Sequence, residues 1–262
     1  MPARYAALFA DHAAQLASHC GYDIGSLVLA RELARTCDAP LIAASTTRLL
    51  VDLNRSLGHP RLWSPITRTL PPSVRAEVLA EHYRPYRSTV EAMVRSLISQ
   101  GRRVVHVSAH SFTPELDGVE RRADVGLLYD PRRRWERAVC NAWQHAFEEQ
   151  TPHLEVRRNY PYRGTADGLT TALRRGFPAT RYAGIELEIN QRHPLGRAGS
   201  WRRLRRQVIA ALRTALGQQA EAGARAQIRE PAGRLSSGSG SEDCLRLSAP
   251  TTIRPRSRCD ND

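Results

Sequence analysis

Residues 184–190 read Gly184-Ile185-Glu186-Leu187-Glu188-Ile189-Asn190. Apolar and polar residues alternate strictly, so a strand here sends Ile185, Leu187 and Ile189 to one face. Glu186, Glu188 and Asn190 go to the other. Two carboxylates on one strand face stand about 6.6 Å apart, and burying both is costly without a cation. Either this strand has a wet or arginine-paired face, or the glutamates face a site.

The segments on either side have the pattern of a sheet covered by helices. Val104–Ser108 and Asp124–Tyr129 are short apolar runs of strand type. The stretch 134–149 is helical, and so is 73–99 apart from an interruption at Pro85. Leu27, Ala30, Leu33 and Ala34 share one helix face within 24–34. Trp201, Leu204, Val208, Leu212 and Leu216 recur at helical spacing. Pro40–Ala44 and Leu49–Leu53 are two further apolar runs. Helices alternating with short strands predict an α/β fold over residues 1–218, with a central mostly parallel or mixed sheet. Residues 219–262 carry the run Ser236-Ser237-Gly238-Ser239-Gly240-Ser241, three prolines and few large apolar groups. Such a composition predicts a disordered low-complexity tail.

The chain has 262 residues and a formal net charge of +13, and all 39 of its cations are arginine. The absence of lysine excludes a Walker-type phosphate loop and Schiff-base chemistry. It also has the look of codon bias in a high-GC genome. The arginines are scattered, apart from a knot at Arg202, Arg203, Arg205 and Arg206. With no nucleic-acid motif beside them, they read as solvated surface, and no specific nucleic-acid partner is expected. Five cysteines without CxxC pairing argue against a disulfide framework. No apolar run is long enough for a signal peptide or a membrane span, so a cytoplasmic protein is expected.

Candidate chemistry gathers in three stretches. The densest is His106-Val107-Ser108-Ala109-His110-Ser111-Phe112-Thr113-Pro114. Two histidines four apart on a strand lie about 13 Å from each other, too far to share one ion. His110, nearer the C-terminal end of its strand, is the better metal ligand; a pair of hydrogen-bonded structural histidines is the alternative. In the opening stretch, Glu188 is the candidate general base. In Arg48-Leu49-Leu50-Val51-Asp52-Leu53-Asn54-Arg55, the Arg55 fork suits a substrate carboxylate, while a buried Asp–Arg pair fits equally well. The turn Asn159-Tyr160-Pro161-Tyr162-Arg163-Gly164 is either a substrate loop or a packed connection. Neither GxSxG nor HExxH occurs.

Six stretches in register, GYDIGSLVLARELA, RLLVDLNR, HVSAHSFTP, RRADVGLLYDP, RNYPYRGTADGLTTALRR and GIELEINQ, resemble the N-formylglutamate amidohydrolase (N-formylglutamate deformylase) family. They span residues 21–191. The resemblance implies a three-layer α/β/α fold like that of the zinc carboxypeptidases. It also implies a bound divalent metal, usually zinc, and hydrolysis of N-formyl-L-glutamate, a small acidic amino-acid derivative, to formate and glutamate. Residue by residue it implies Asp23 and His110 as metal ligands and Glu188 as the catalytic glutamate. Arg55 would bind the substrate carboxylate, and Arg122, Asn159 and Arg163 would be further pocket residues. Family members begin with a strand carrying a histidine-glycine motif, and that first strand is expected to be missing here. Three other outcomes stay open: a different N-acyl amino acid, a peptide's C-terminal residue, or an inactive member acting as a binding protein.

Overall fold

The computed structural model describes residues 2–229, with side chains through residue 219. A 3-10 segment (Ala3–His12) leads into α1 (Ala13–Leu16) and then α2 (Ser26–Thr36). Pro40–Ala44 and Leu49–Leu53, the two apolar runs, form no strand. Instead Leu49, Leu50 and Val51 pack with Tyr5, Phe9, Leu62, Val78 and Tyr83 in a small core of their own.

The long helix predicted over 73–99 is α3 (Pro72–Val78) and α4 (Arg84–Ser99), joined through a π-helical turn (Leu79–Tyr83). Pro85 sits in the first turn of α4. It has no N–H to donate, and its ring would crowd the carbonyl four residues back, so a widened turn ahead of it relieves both. The remaining elements are β1 (Val104–Phe112), a hairpin of β2 (Glu115–Leu116) and β3 (Val119–Glu120), β4 (Val125–Leu128), α5 (Arg134–Gln150), β5 (Val156–Arg158), α6 (Leu169–Gly176), β6 (Tyr182–Asn190) and α7 (Ala198–Arg229). Helix α7 runs past residue 218; residues 230–262, the rest of the expected tail, lie outside the described residues.

The central sheet has the order β1-β6-β4-β5. Strand β6 is parallel to β1 and antiparallel to β4, and β5 is parallel to β4. This is a mixed α/β sheet. Ile185, Leu187 and Ile189 of β6 face a core built with Trp143 and Phe147 of α5 and Leu204 and Val208 of α7. On the other face, Val90 and Val94 of α4 pack with Leu169 and Leu173 of α6. The polar residues of β6 are therefore held between layers, on the α4–α6 side.

One buried charge cluster sets the start of β6. Glu136 on α5 is fully buried and accepts from Arg174 Nε at 3.0 Å, from the Gly184 N–H at 3.1 Å and from the Asp130 N–H at 2.9 Å. Arg174 also donates to the carbonyl of Gly184 at 2.7 Å. A buried pair is tolerable when every lone pair and proton has a partner, and this one ties α5, α6 and β6 together.

Candidate active site

In the parallel β1–β6 pair, Ser108 stands opposite Glu186 and His110 opposite Glu188. Two strands with period-2 patterns therefore place an imidazole and a carboxylate side by side on one face. Asp23 arrives from the loop before α2. Gly25, at φ 84, turns the chain there, and an added Cβ would lie 2.7 Å from Pro194. Asp23 Oδ2 then lies 2.7 Å from His110 Nδ1, and the other face of the imidazole is engaged by Ser108 Oγ, 3.0 Å from Nε2. Arg48 donates to Asp23 Oδ1 at 2.9 Å and approaches Asp52 at 3.7 Å.

These contacts set the charge states. Burial opposes an imidazolium at His110, but the hydrogen bond and charge of Asp23, with Glu188 and Glu186 behind it, outweigh that and raise its pKa to about 9. Asp23 is held below the usual carboxylate range: burial acts against this, while Arg48 and His110 overcome it. Glu188 goes the other way. Burial, reinforced by Asp23 and Glu186, pushes its pKa up to about 7 against the pull of His110 and Arg48. It is 6% exposed, and its Oε2 is buried with no hydrogen-bond partner among the described residues. Orphaned buried carboxylate oxygens are rare and mark places where a ligand proton belongs.

The expected residues divide. Asp23, His110 and Glu188 come together. His106 is separate: its Nδ1 lies 2.9 Å from the Tyr182 hydroxyl, and burial, with His110 and Arg174, lowers its pKa to about 4. That is the structural-histidine alternative. Arg55 Nη1 donates to the backbone carbonyl of Asp167 at 2.8 Å, while its Nε is buried without a hydrogen-bond partner among the described residues, 3.9 Å from the Asp52 carboxylate. Asn159 uses its side-chain oxygen on the N–H groups of Tyr129 and Gly164, both at 3.0 Å, which makes it a turn brace. Arg122 is exposed and paired with Glu120 beside the β2–β3 hairpin, and Arg163 is exposed. Neither of them lines the cavity beside Asp23 and His110. Arg48, which the sequence reading passed over, is the cation of the site; its place four residues before Asp52 was the only local signal.

A cavity of about 940 Å³ opens beside this cluster, lined by Asp23, Arg48, Asn54, Ser108 and His110 among others. Among the described residues no three His, Cys, Asp or Glu side chains stand together as a metal would need. Asp23 and His110 are two candidate ligands, whereas a catalytic zinc takes three protein ligands. Among the described residues the donor set is short by one.

A family model for N-formylglutamate amidohydrolase matches residues 1–193. The chain belongs to that family. Two solved structures share its architecture. The gene product Atu2144 from Agrobacterium tumefaciens superimposes with a TM-score of 0.72 at 27% identity, over 84% of this chain and 87% of that one. The N-formylglutamate amidohydrolase from Ralstonia eutropha JMP134 gives a TM-score of 0.58 at 22% identity, over 75% of this chain and 83% of that one. At that identity the second likeness speaks to fold alone. No curated protein matches the chain. The six motif stretches named above fall within the matched span, and the mixed sheet between helices agrees with the fold they imply. Among the described residues no helix of this family member is long and apolar enough to cross a membrane.

Proposed function

We propose that this chain hydrolyses the amide bond of an N-formyl or N-acyl amino acid, N-formyl-L-glutamate first among them, with Glu188 as the base. The observation that carries the reading is the buried, unpartnered Oε2 of Glu188, next to His110 across the β1–β6 pair. A carboxylate with a pKa near 7 is matched to proton transfer at neutral pH.

Glu188 takes a proton from water as the water oxygen bonds to the acyl carbon. The carbon–nitrogen bond then breaks, and Glu188 returns the proton to the leaving amine. Formate and glutamate account for every atom. The charge developing on the acyl oxygen is met by the Asp23-bound Arg48 guanidinium, the cation lining the cavity beside His110. Asn54, also in the cavity wall, holds the Leu169 N–H at 2.7 Å through its Oδ1, which leaves its amide N–H groups for substrate. A bound zinc would polarise the carbonyl and acidify water. Asp23 and His110 would hold it, but the described residues lack the third ligand such a centre requires, so no step above depends on it.

The test is formate release from N-formyl-L-glutamate by the full chain and by Glu188→Gln. Loss of about 10²–10⁴ in kcat is expected for the variant. Activity within a few-fold of the parent would remove Glu188 from the mechanism. Binding of N-formyl-L-glutamate without turnover by the parent chain would mark an inactive binding protein instead, a reading that the short donor set favours.

A further inference from the structure

Arg121 follows directly on the β2–β3 hairpin, and both of its backbone groups are tied down. Its N–H donates to the carbonyl of Pro114 at 2.7 Å, which closes the hairpin at its base. Its own carbonyl accepts from Asn190 Nδ2 at 2.8 Å. Asn190 is fully buried and stands two residues beyond Glu188 on the same face of β6, about 6.6 Å along the strand. The strand that carries Glu188 therefore also fixes where the Arg121 side chain starts.

Arg122 turns back to Glu120 at the surface, but Arg121 takes another course. Its Nη1 donates to the Tyr162 hydroxyl at 3.1 Å, and its guanidinium carbon lies 5.2 Å from the centre of that ring. Among the described residues no carboxylate comes within 4 Å of it. Tyr162 belongs to the 159–164 turn, which Asn159 braces and which sets the Tyr160 carbonyl against Gly126, the residue opposite Glu188. Burial opposes the Arg48 guanidinium, while Asp23, Asp52, Glu188 and Tyr162 favour it. The Tyr162 ring is thus within electrostatic reach of the cation beside His110. Two loops remote in sequence meet at the polar face of β6.

The neighbouring arginines are engaged elsewhere. Arg48 donates to Asp23, Arg87 to the carbonyls of Leu53 and Arg55, and Arg174 to Glu136. A substrate carboxylate at Arg55 Nε would face the Asp52 carboxylate, 3.9 Å from that nitrogen. Arg121 has no such competitor. Its planar fork of donors matches the two oxygens of a carboxylate.

We infer that Arg121 is the residue that takes a carboxylate of the substrate, and that the Tyr162 hydroxyl holds its guanidinium in place for it. In N-formyl-L-glutamate the two carboxylate carbons are three and five bonds from the acyl carbon, about 4 and 6 Å when extended. That is the scale of the separation between positions 188 and 190 on β6. The inference rests on the reading of Glu188 as the base of an amide hydrolase, and it names the group that selects acidic substrates for that centre.

The test measures kcat and KM by formate release from N-formyl-L-glutamate, from N-formyl-L-glutamine and from the α-amide of N-formyl-L-glutamate. Each amide removes one of the two carboxylates. The full chain is compared with Arg121→Ala. In parallel, calorimetry follows binding of the three compounds to Glu188→Gln, with and without Arg121→Ala. The Arg121→Ala change is expected to raise KM for N-formyl-L-glutamate roughly 10–100-fold, with kcat lowered far less, and to weaken binding to the same extent. With the amide that lacks the recognised carboxylate, the penalty should shrink to about threefold or less, which also tells which carboxylate is held. Arg121→Lys keeps the charge without the fork, so it should recover part of the affinity, and it decides the matter if the alanine variant does not fold. Equal penalties on all three compounds, or a change under about threefold on N-formyl-L-glutamate, would overturn the assignment. Glu188-dependent turnover with binding indifferent to Arg121 sinks this inference alone. Arg121-dependent binding without formate release from any substrate sinks the hydrolytic reading alone, and no binding of N-formyl-L-glutamate overturns both.

Discussion

Gly126 on β4 stands directly opposite Glu188 on β6, and the carbonyl of Tyr160 occupies the space where a Gly126 side chain would project. A Cβ at residue 126 would sit 1.9 Å from that oxygen and 3.2 Å from the Glu188 Cβ. The glycine lets the 159–164 turn close over the strand pair that carries Glu188, and this turn contributes to keeping Glu188 dry. The neighbour is backbone, not a flexible side chain, so it cannot swing away.

Gly126→Ala is therefore expected to destabilise the fold by about 1–3 kcal/mol or more, through overpacking against backbone. Chemical denaturation measures it, and an unchanged midpoint would show that the turn moves freely.

Glu136→Ala leaves Arg174 buried without its partner and strips acceptors from the N–H groups of Gly184 and Asp130. Breaking a buried pair on one side costs roughly 3–5 kcal/mol. The expected outcome is a large fall in Tm. A loss under ~1 kcal/mol would show that the cluster is less dry than its burial implies.

Glu188 titrates near 7 when folded, against 4.5 for the ordinary group. The folded chain thus holds an extra proton between these values, and stability falls as pH rises from about 4.5 to about 7, on the order of 3 kcal/mol in all. Glu188→Gln should flatten that decline in denaturation curves taken across the interval. As the proposed base the same group is active when ionised, so kcat/KM should rise through about pH 7. The neighbouring His110 makes the apparent values belong to the pair. A rate that falls across this range would be incompatible with Glu188 as the base.

His110 should titrate near 9 by NMR, held there by Asp23 over the opposing effect of burial. Asp23→Asn removes the charge and reverses the hydrogen-bond preference, so the histidine pKa should drop by more than a unit. An unmoved titration would mean that Asp23 and His110 do not meet in solution.

How much of this was legible in the chain follows from distance along it. The alternation in 184–190 and the helical stripe from Trp201 to Leu216 encode their elements through neighbours two to four residues apart, and both appear as read. Pro85 announced a break in a long helix, although not that the break takes the form of a π turn. Glu188 was singled out because paired carboxylates on one strand face are costly to bury, and His110 because it lies near the C-terminal end of its strand.

What folding alone decided involves partners remote in sequence. Asp23 and His110 are 87 residues apart and meet only because β1, the Gly25 turn and α2 pack as they do. Arg48 and Arg55 lie within one short stretch, yet the tertiary fold brings the first to Asp23 and the second to the backbone carbonyl of Asp167. Arg122 and Arg163 are exposed and do not line the cavity beside Asp23. The sequence determined which residues alternate, which turn and which cannot be buried cheaply. The tertiary structure decided which of them share a face, because sheet register and loop closure are long-range properties that local periodicity does not carry.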